Sequence, residues 1–416
     1  MVVEVSKSEY FGKVIAVPSK SYAHRLLISA SLKKGKTVIK NVGESLDVLA
    51  TVNCLNSLGA KISLKKGNAI VYGIEKPNDN AILDAGESGS TLRFLLPIVC
   101  ALGVKAEFQG RGRLLKRPND KLIETLNTNG SLVEGVTTNG KLLPGVYKLD
   151  ASISSQYVSG LLLALPLLDG DSELVLEGNI VSKNYIDITL EVLRLSGIKV
   201  IKTENGFKIK GNQEYRLQKV VKCENDWSSA CFPLVAGAIG KKVTVQGLNL
   251  TSVQGDKTII DVLKDTGVKV KLSKNKVIVF GGEKKGFSVN IEHAPDLAPV
   301  LSVLASDCNG ESKIFGVERL KIKESDRIKA ILETLNKAGI QASYNGEYLK
   351  IIGNEPKRAD YDGFNDHRIV MSAVLLSSLA GGVSTVSDAN AVDKSYPSFY
   401  KDIRRLGGKY NVKMER

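Results

Sequence analysis

Residues 228–280 read SSACFPLVAGAIGKKVTVQGLNLTSVQGDKTIIDVLKDTGVKVKLSKNKVIVF, and the order of patterns along them decides the fold. Ser228–Ile239 is apolar on every side, as a buried helix must be. Val243–Asn249 then alternates β-branched and polar residues at the period of a strand. Asp256–Thr266 returns to helical spacing with one polar face and stops at Gly267, which takes the left-handed cap conformation without a Cβ penalty. Val268–Lys271 and Val277–Phe280, joined across Lys274-Asn275, read as a β-hairpin.

The same succession recurs on both sides. Further apolar helices are expected at Ala23–Leu32, Ser90–Leu102, Ser155–Leu168, Asp296–Ala305 and Asp366–Ala380, and strands at Thr37–Val42, Val104–Gly110 and Glu173–Asn179. Amphipathic helices such as Asn184–Ser196 and Ser325–Ala338 close at Gly197 and Gly339, and Gly59, Gly130 and Gly407 close the others. With Gly267 these glycines recur every ~70 residues, too long a period for a solenoid and right for a small α/β unit. A second hairpin, Ile340–Tyr344 with Tyr348–Ile352, turns at Asn345-Gly346. The expected fold is therefore α/β (α+β), six βαβαββ repeats with the first helix of each buried. A chain of 416 residues exceeds one ordinary core. The repeats are expected to form two domains of three, with buried helices inside, sheets outside and the site in the cleft between them.

Composition narrows the function. Hydrophobic residues at 43% and charged residues at 25% describe a globular protein. Met1–Pro18 alternates apolar and polar residues, and the longest apolar run, Leu161–Leu168, contains Pro166 and falls short of the ~20 residues a bilayer requires. A cytoplasmic protein is expected. Cys54, Cys100, Cys223, Cys231 and Cys308 show no CxxC spacing, so free thiols are expected and neither disulfides nor a metal site. Three scattered histidines, no phosphate loop and no GxGxxG after a strand predict no metal and no cofactor. The net charge of +14 calls for an anionic partner, a nucleic acid or a small phosphorylated molecule. Lys33-Lys34, Lys65-Lys66, Lys241-Lys242 and Lys284-Lys285 are dispersed over turns, and aromatics are only 6%. That argues against a nucleic-acid stripe.

The informative charges stand at the starts of the apolar helices. Pro18-Ser19-Lys20-Ser21 leads into a helix carrying His24 and Arg25; Gly86-Glu87-Ser88-Gly89-Ser90-Thr91 precedes Arg93. Arg111, Arg113, Lys116 and Arg117 crowd one loop, and such a cluster needs an anion or solvent to neutralise it. Ser154-Ser155-Gln156, Ser182-Lys183-Asn184-Tyr185, His293-Ala294-Pro295-Asp296, Lys321 to Arg327, Asn365-Asp366-His367-Arg368 and Asp393-Lys394 follow. Helix N-termini collect anions through free N–H groups and the helix dipole.

Taken in order, Lys20-Ser21 with Arg25, Gly89 with Arg93, Arg113–Pro118, Ser154-Ser155-Gln156, Ser182–Thr189, Pro295-Asp296, Lys323–Arg327, Asn365–Arg368 and Lys394 resemble the EPSP synthase (5-enolpyruvylshikimate-3-phosphate synthase) family from end to end. The resemblance implies transfer of an enolpyruvyl group from phosphoenolpyruvate to the 5-hydroxyl of shikimate 3-phosphate. It also implies the shikimate pathway of aromatic amino acid biosynthesis, two domains that close on substrate, and no metal or organic cofactor. By position, Lys20, Ser21, Arg25, Ser154, Ser155, Gln156, Ser182, Asp296 and Lys323 are implied to hold shikimate 3-phosphate. Lys20, Gly89, Arg113, Gln156, Arg327, Arg368 and Lys394 are implied to hold phosphoenolpyruvate. Asp296 matches the family's proton acceptor, and Glu324 and Lys20 the other proton-transfer groups. The crossovers implied lie near Pro18 and Cys223, giving domains 1–18 with 224–416, and 19–223. The partners expected are small anionic substrates, with no nucleic acid and no membrane, and the chain is expected to act as a monomer.

The chain departs from the family pattern in three places. It has Pro18-Ser19-Lys20-Ser21, one glycine short; Glu87-Ser88-Gly89-Ser90 replaces the common Asn-Ala-Gly-Thr; and Phe94 stands where a proline is usual. Gly89 implies sensitivity to the inhibitor glyphosate, which a side chain there would crowd. Two alternatives are weighed. UDP-N-acetylglucosamine enolpyruvyl transferase shares the chemistry but typically has a cysteine in the loop that here reads Arg113 to Arg117, and an asparagine where Ser21 stands. A nucleic-acid-binding protein on a related repeat fold would leave Asp296 and Glu324 unexplained among the cations.

Overall fold

A computed structural model describes residues 1–413 and divides them into two compact units. The central unit is Pro18–Glu224; the discontinuous unit joins Met1–Val17 to the chain from Asn225 onward. In the central unit the α-helices are α1 (Lys20–Leu32), α2 (Leu46–Ser57), α3 (Gly89–Leu102), α4 (Asp120–Thr128), α5 (Ser155–Ala164) and α6 (Lys183–Leu195). In the discontinuous unit they are α7 (Trp227–Ile239), α8 (Ile259–Asp265), α9 (Ala298–Ser306), α10 (Arg327–Lys337), α11 (His367–Leu379) and α12 (Phe399–Arg405). Odd-numbered helices are buried nearly all round, whereas even-numbered ones bury a single stripe. Two hydrophobic cores result, one per unit, with no residue in common.

Each unit contains three four-stranded sheets of one plan. A first strand pairs in parallel with the strand that follows the buried helix, and two antiparallel strands complete the sheet, as a hairpin in every sheet but the one that holds Val2–Ser6. In the stretch quoted above, Lys242–Gln246 pairs antiparallel with Lys276–Phe280 so that Val243 faces Val279 and Val245 faces Val277. All four valines are fully buried, and the residues between them face outward, the two-residue period of a half-covered sheet. The first strand of that sheet is Phe11–Ile15, and Val2–Ser6 lies between Val383–Val386 and Lys409–Lys413 in another. Likewise Val220–Lys222 lies beside Lys36–Lys40 in the central unit. Strands from the chain start thus complete sheets built mainly from residues beyond 225, which is why that unit is discontinuous.

All six glycines expected to close the amphipathic helices have positive φ, from 75° at Gly197 and Gly339 to 109° at Gly59. Proline and a tightened first turn move some boundaries. The helix expected over Ser155–Leu168 ends at Ala164 because Pro166 cannot donate, and a 3-10 turn Leu165–Leu167 finishes it. The helices expected from Asp296 and Asp256 begin as 3-10 turns, Pro295–Leu297 and Gly255–Thr258. The five cysteines are buried free thiols, and burial pushes Cys54 up to about 12 and Cys100 to about 11. No described helix is long and apolar enough to cross a membrane.

The packing of α3 on α5 fixes one half of the candidate site. Pro97 lies inside α3 and has no N–H for the carbonyl of Arg93. Gly160 of α5 approaches that carbonyl so closely that a Cβ would stand 2.2 Å from it and 3.1 Å from Pro97. Gly160→Ala is therefore expected to cost about 1–3 kcal/mol through overpacking. Chemical denaturation followed by circular dichroism measures it, and an unchanged midpoint would show that α3 and α5 separate freely.

Candidate functional site

Three buried helices in each unit start at one pole, and the cap residues differ between the units. In the central unit the N-cap positions of α1, α3 and α5 are Ser19, Ser88 and Ser154. The Ser88 and Ser154 hydroxyls accept from the Thr91 and Gln156 amides, so the caps add no charge to the positive helix ends. In the discontinuous unit the corresponding residues are Asp226, Asp296 and Asp366, each 70 positions after the last. Asp226 accepts from the amides of Ser228 and Ser229, and Asp366 from that of Arg368. Asp296 lies inside its 3-10 turn, where Ala294 takes the N-cap position. Its carboxylate points to cations instead.

In the central unit, Lys20 opens α1 and its Nζ donates to Asp47 Oδ2 of α2 at 2.7 Å. Asp47 was not anticipated from sequence, where it looks like any acid in a first helical turn. Arg25 is buried and donates from Nε to Thr189 Oγ1 (2.6 Å), from Nη1 to the Ser21 carbonyl (2.8 Å), and from Nη2 to the Tyr185 carbonyl (3.0 Å) and Ser159 Oγ (3.2 Å). Among the described residues no carboxylate is within ion-pair reach of it. Arg93 donates to Gln156 Oε1 (2.7 Å), Asn119 Oδ1 (2.9 Å) and the Pro118 carbonyl (2.8 Å), and Gln156 Nε2 donates to Ser90 Oγ (2.9 Å). Ser154, Ser155 and Ser182 are buried, and Ser182 takes a left-handed backbone (φ 51°) at the start of α6. A non-glycine residue held there is the kind of strain that functional sites carry.

The loop between α3 and α4 places its arginines in different surroundings. Arg113 is exposed at the head of a 3-10 turn, Leu114–Lys116. Arg117 instead comes against Gly89, where a Cβ would stand 2.8 Å from its Nη1. A side chain at residue 89 thus displaces an arginine. Four nearby cations in sequence give no hint of which one folds inward; the turn decides it.

In the discontinuous unit, Arg327 opens α10 and is surrounded by three carboxylates. Nη1 donates to Asp296 Oδ1 (2.7 Å), Nη2 to Glu324 Oε2 (2.8 Å), and Nε and Nη2 to Asp366 (2.8 and 3.1 Å). Arg368 Nη2 lies 3.2 Å from Asp296 Oδ2 and Lys323 Nζ 3.5 Å from Oδ1. Five expected site residues, Asp296, Lys323, Glu324, Arg327 and Arg368, are thus in one cluster. Buried Lys394 donates to the Asn365 carbonyl at 2.7 Å. Phe364 and Asn365 both have left-handed backbones (φ 51° and 47°), which turn that carbonyl before the chain enters α11. Burial pushes the Lys323 ammonium down to about 8, against the pull of Asp296. For Asp366 burial acts upward, but Arg327 outweighs it and the carboxyl stays below its usual range.

Asp256 also belongs to this pole and was read from sequence only as a helix start. It is buried, its Oδ1 has no hydrogen-bond partner among the described residues, and burial with the nearby Asp296 charge raises it to about 7. Such a carboxyl binds its proton more tightly folded than unfolded, so its ionisation costs stability as pH rises from the ordinary carboxylate range to about 7. Asp256→Asn removes that cost. Melting curves are expected to show the variant gaining on the unsubstituted chain between about pH 4 and about pH 7 and holding that gain above it; a constant difference would mean Asp256 does not titrate there.

The sequence profile of the family described as EPSP synthase (3-phosphoshikimate 1-carboxyvinyltransferase) matches residues 5–403. A Clostridium kluyveri protein named 3-phosphoshikimate 1-carboxyvinyltransferase is 40% identical, covering 98% of this chain and 97% of its own. One of the same name from Clostridium perfringens is 38% identical over 98% of both. Among solved structures, an EPSP synthase from Acinetobacter baumannii shares the fold with a TM-score of 0.81 at 22% identity, covering 99% of this chain and 100% of that one. The enolpyruvyl transferase NikO from Streptomyces tendae gives 0.80 at 16% identity, covering 99% and 98%. Serine-capped helices around buried arginines in one unit, a lysine–arginine–carboxylate cluster in the other and a profile match over nearly the whole length agree: the chain belongs to the EPSP synthase family.

Proposed function

We propose that this protein transfers the enolpyruvyl group of phosphoenolpyruvate to the 5-hydroxyl of shikimate 3-phosphate, releasing phosphate, as a cytoplasmic step of aromatic amino acid biosynthesis. The observation that carries the reading is Asp296, the one aspartate of the three that lies inside its first turn and not at an N-cap position, set among Lys323, Arg327 and Arg368. Ser21, Arg25, Ser154, Ser155, Gln156 and Ser182 of the central unit hold shikimate 3-phosphate, joined by Lys323. Lys20, Gly89, Arg113, Gln156, Arg327, Arg368 and Lys394 hold phosphoenolpyruvate, and Arg117 beside Gly89 joins them.

Both substrates are multiply charged anions, and their repulsion is offset only where several fixed cations act in a partly dry site. Planar guanidinium groups match carboxylate and phosphate oxygens in pairs. Asp296 takes the proton of the 5-hydroxyl as its oxygen bonds to C2 of phosphoenolpyruvate, and a proton is delivered to the methylene carbon. Phosphate then leaves C2 while the new methyl group returns a proton, which restores the enol ether. Glu324 and Lys20 share these proton transfers. In the cluster described, Arg327 already holds Asp296 and Glu324 as carboxylates. An incoming anion competes for those N–H groups, which leaves the two acids available for proton transfer.

Phosphate release from phosphoenolpyruvate is expected with shikimate 3-phosphate and not with UDP-N-acetylglucosamine as acceptor. Absence of release with the first, from folded protein, overturns the reading. Asp296→Ala is expected to lower kcat by about 10²- to 10⁴-fold with shikimate 3-phosphate affinity changed only a few-fold, and near-normal turnover removes Asp296 from its role. The pH profile of kcat/KM for shikimate 3-phosphate reports the free protein, so its alkaline limb is expected at about 8, where Lys323 loses its charge. In Lys323→Arg that limb moves to higher pH because guanidinium keeps its proton. A limb that stays in place excludes Lys323 as its source.

A further inference from the structure

Arg25 poses a problem that its hydrogen bonds leave unsolved. It is 2% exposed, and every acceptor around it is a neutral hydroxyl or carbonyl. A buried charge without a carboxylate is costly, and burial pulls Arg25 down to about 9. An aromatic neighbour is Phe94 of α3, whose ring centroid lies 4.6 Å from the guanidinium carbon. Phe94 is itself 1% exposed and meets the His24 ring edge-on, centroids 6.3 Å apart at 85°. His24 donates or accepts at Thr51 Oγ1 through Nδ1 (2.7 Å), and burial keeps its charge off well below the usual histidine range. No second cation therefore competes for the aromatic face.

We propose that Phe94 is a positioning residue for the substrate anion: its ring face holds the Arg25 guanidinium flat, charged and aimed at the ligand without neutralising it. A carboxylate in the same place would stabilise Arg25 but cancel the charge an anion needs. An aromatic quadrupole attracts the cation and leaves its formal charge intact. Arg93 likewise lies 5.4 Å over an aromatic ring, that of Tyr157, while it donates to Asn119, Gln156 and the Pro118 carbonyl. Residue 94, where this chain departs from the family's usual proline, thus has a task of its own. The inference rests on the proposed reading of Arg25 as a shikimate 3-phosphate ligand.

Mono-, tri- and pentafluorinated phenylalanine at position 94 keep the shape of the ring while draining its face, so the fold is retained. Calorimetric titration with shikimate 3-phosphate is expected to show Kd rising stepwise, by about tenfold at full fluorination. Phe94→Leu, which keeps apolar volume but has no ring, is expected to raise KM for shikimate 3-phosphate with kcat within about twofold. A flat Kd across the series in a protein that binds shikimate 3-phosphate overturns the proposal. Unsubstituted protein that binds none overturns the functional reading instead. Phe94 is then judged by the Arg25 Nε–H resonance, which moves with fluorination if the ring holds the guanidinium and stays fixed if it does not.

Discussion

A helix buried on all sides still has N–H groups at its first turn that the helix itself cannot satisfy, and the rest of this structure depends on how they are met. Each unit buries three such helices and brings their starts to one pole. Serine caps in the central unit satisfy backbone donors without adding charge, so the helix ends stay attractive to anions. Aspartates at the corresponding helix starts of the discontinuous unit bring negative charge there, and Arg327 and Arg368 are drawn in to balance it. The same architectural problem has two solutions, and they give the units different chemistry.

Within the aspartate series one residue escapes its structural duty. Pro295 sets up a 3-10 turn, the helix proper begins later at Ala298, and the Asp296 carboxylate meets Lys323, Arg327 and Arg368. Asp226 and Asp366 bind backbone amides and cannot take that part. A repeat supplies three candidate acids, and a local break in the repeat singles out one of them.

Much of the fold was legible because its signals are short-range. Apolar helices, closing glycines and the Asn345-Gly346 turn depend on residues within a few positions of one another. The helix ends shifted where proline or a tighter turn intervened, at Pro166, Pro295 and Gly255. The candidate site was legible where motifs are contiguous, as in Lys323 to Arg327, and much less so where partners come from distant repeats. Asp47 beside Lys20, Asp256 near Asp296, and Phe94 under Arg25 join residues on different helices. No periodicity marks them.

By itself the sequence determined the repeat, its six buried helices, the cationic character of the poles and the family resemblance, because each is carried by local pattern or by ordered motifs. Only the tertiary structure decided which cations are balanced and by what. It left Arg113 exposed and set Arg117 against Gly89; it gave Arg327 three carboxylates and gave Arg25 none. The reason is physical: electrostatic energy depends on distance and on exclusion of water, and neither is fixed until helices from separate repeats have packed.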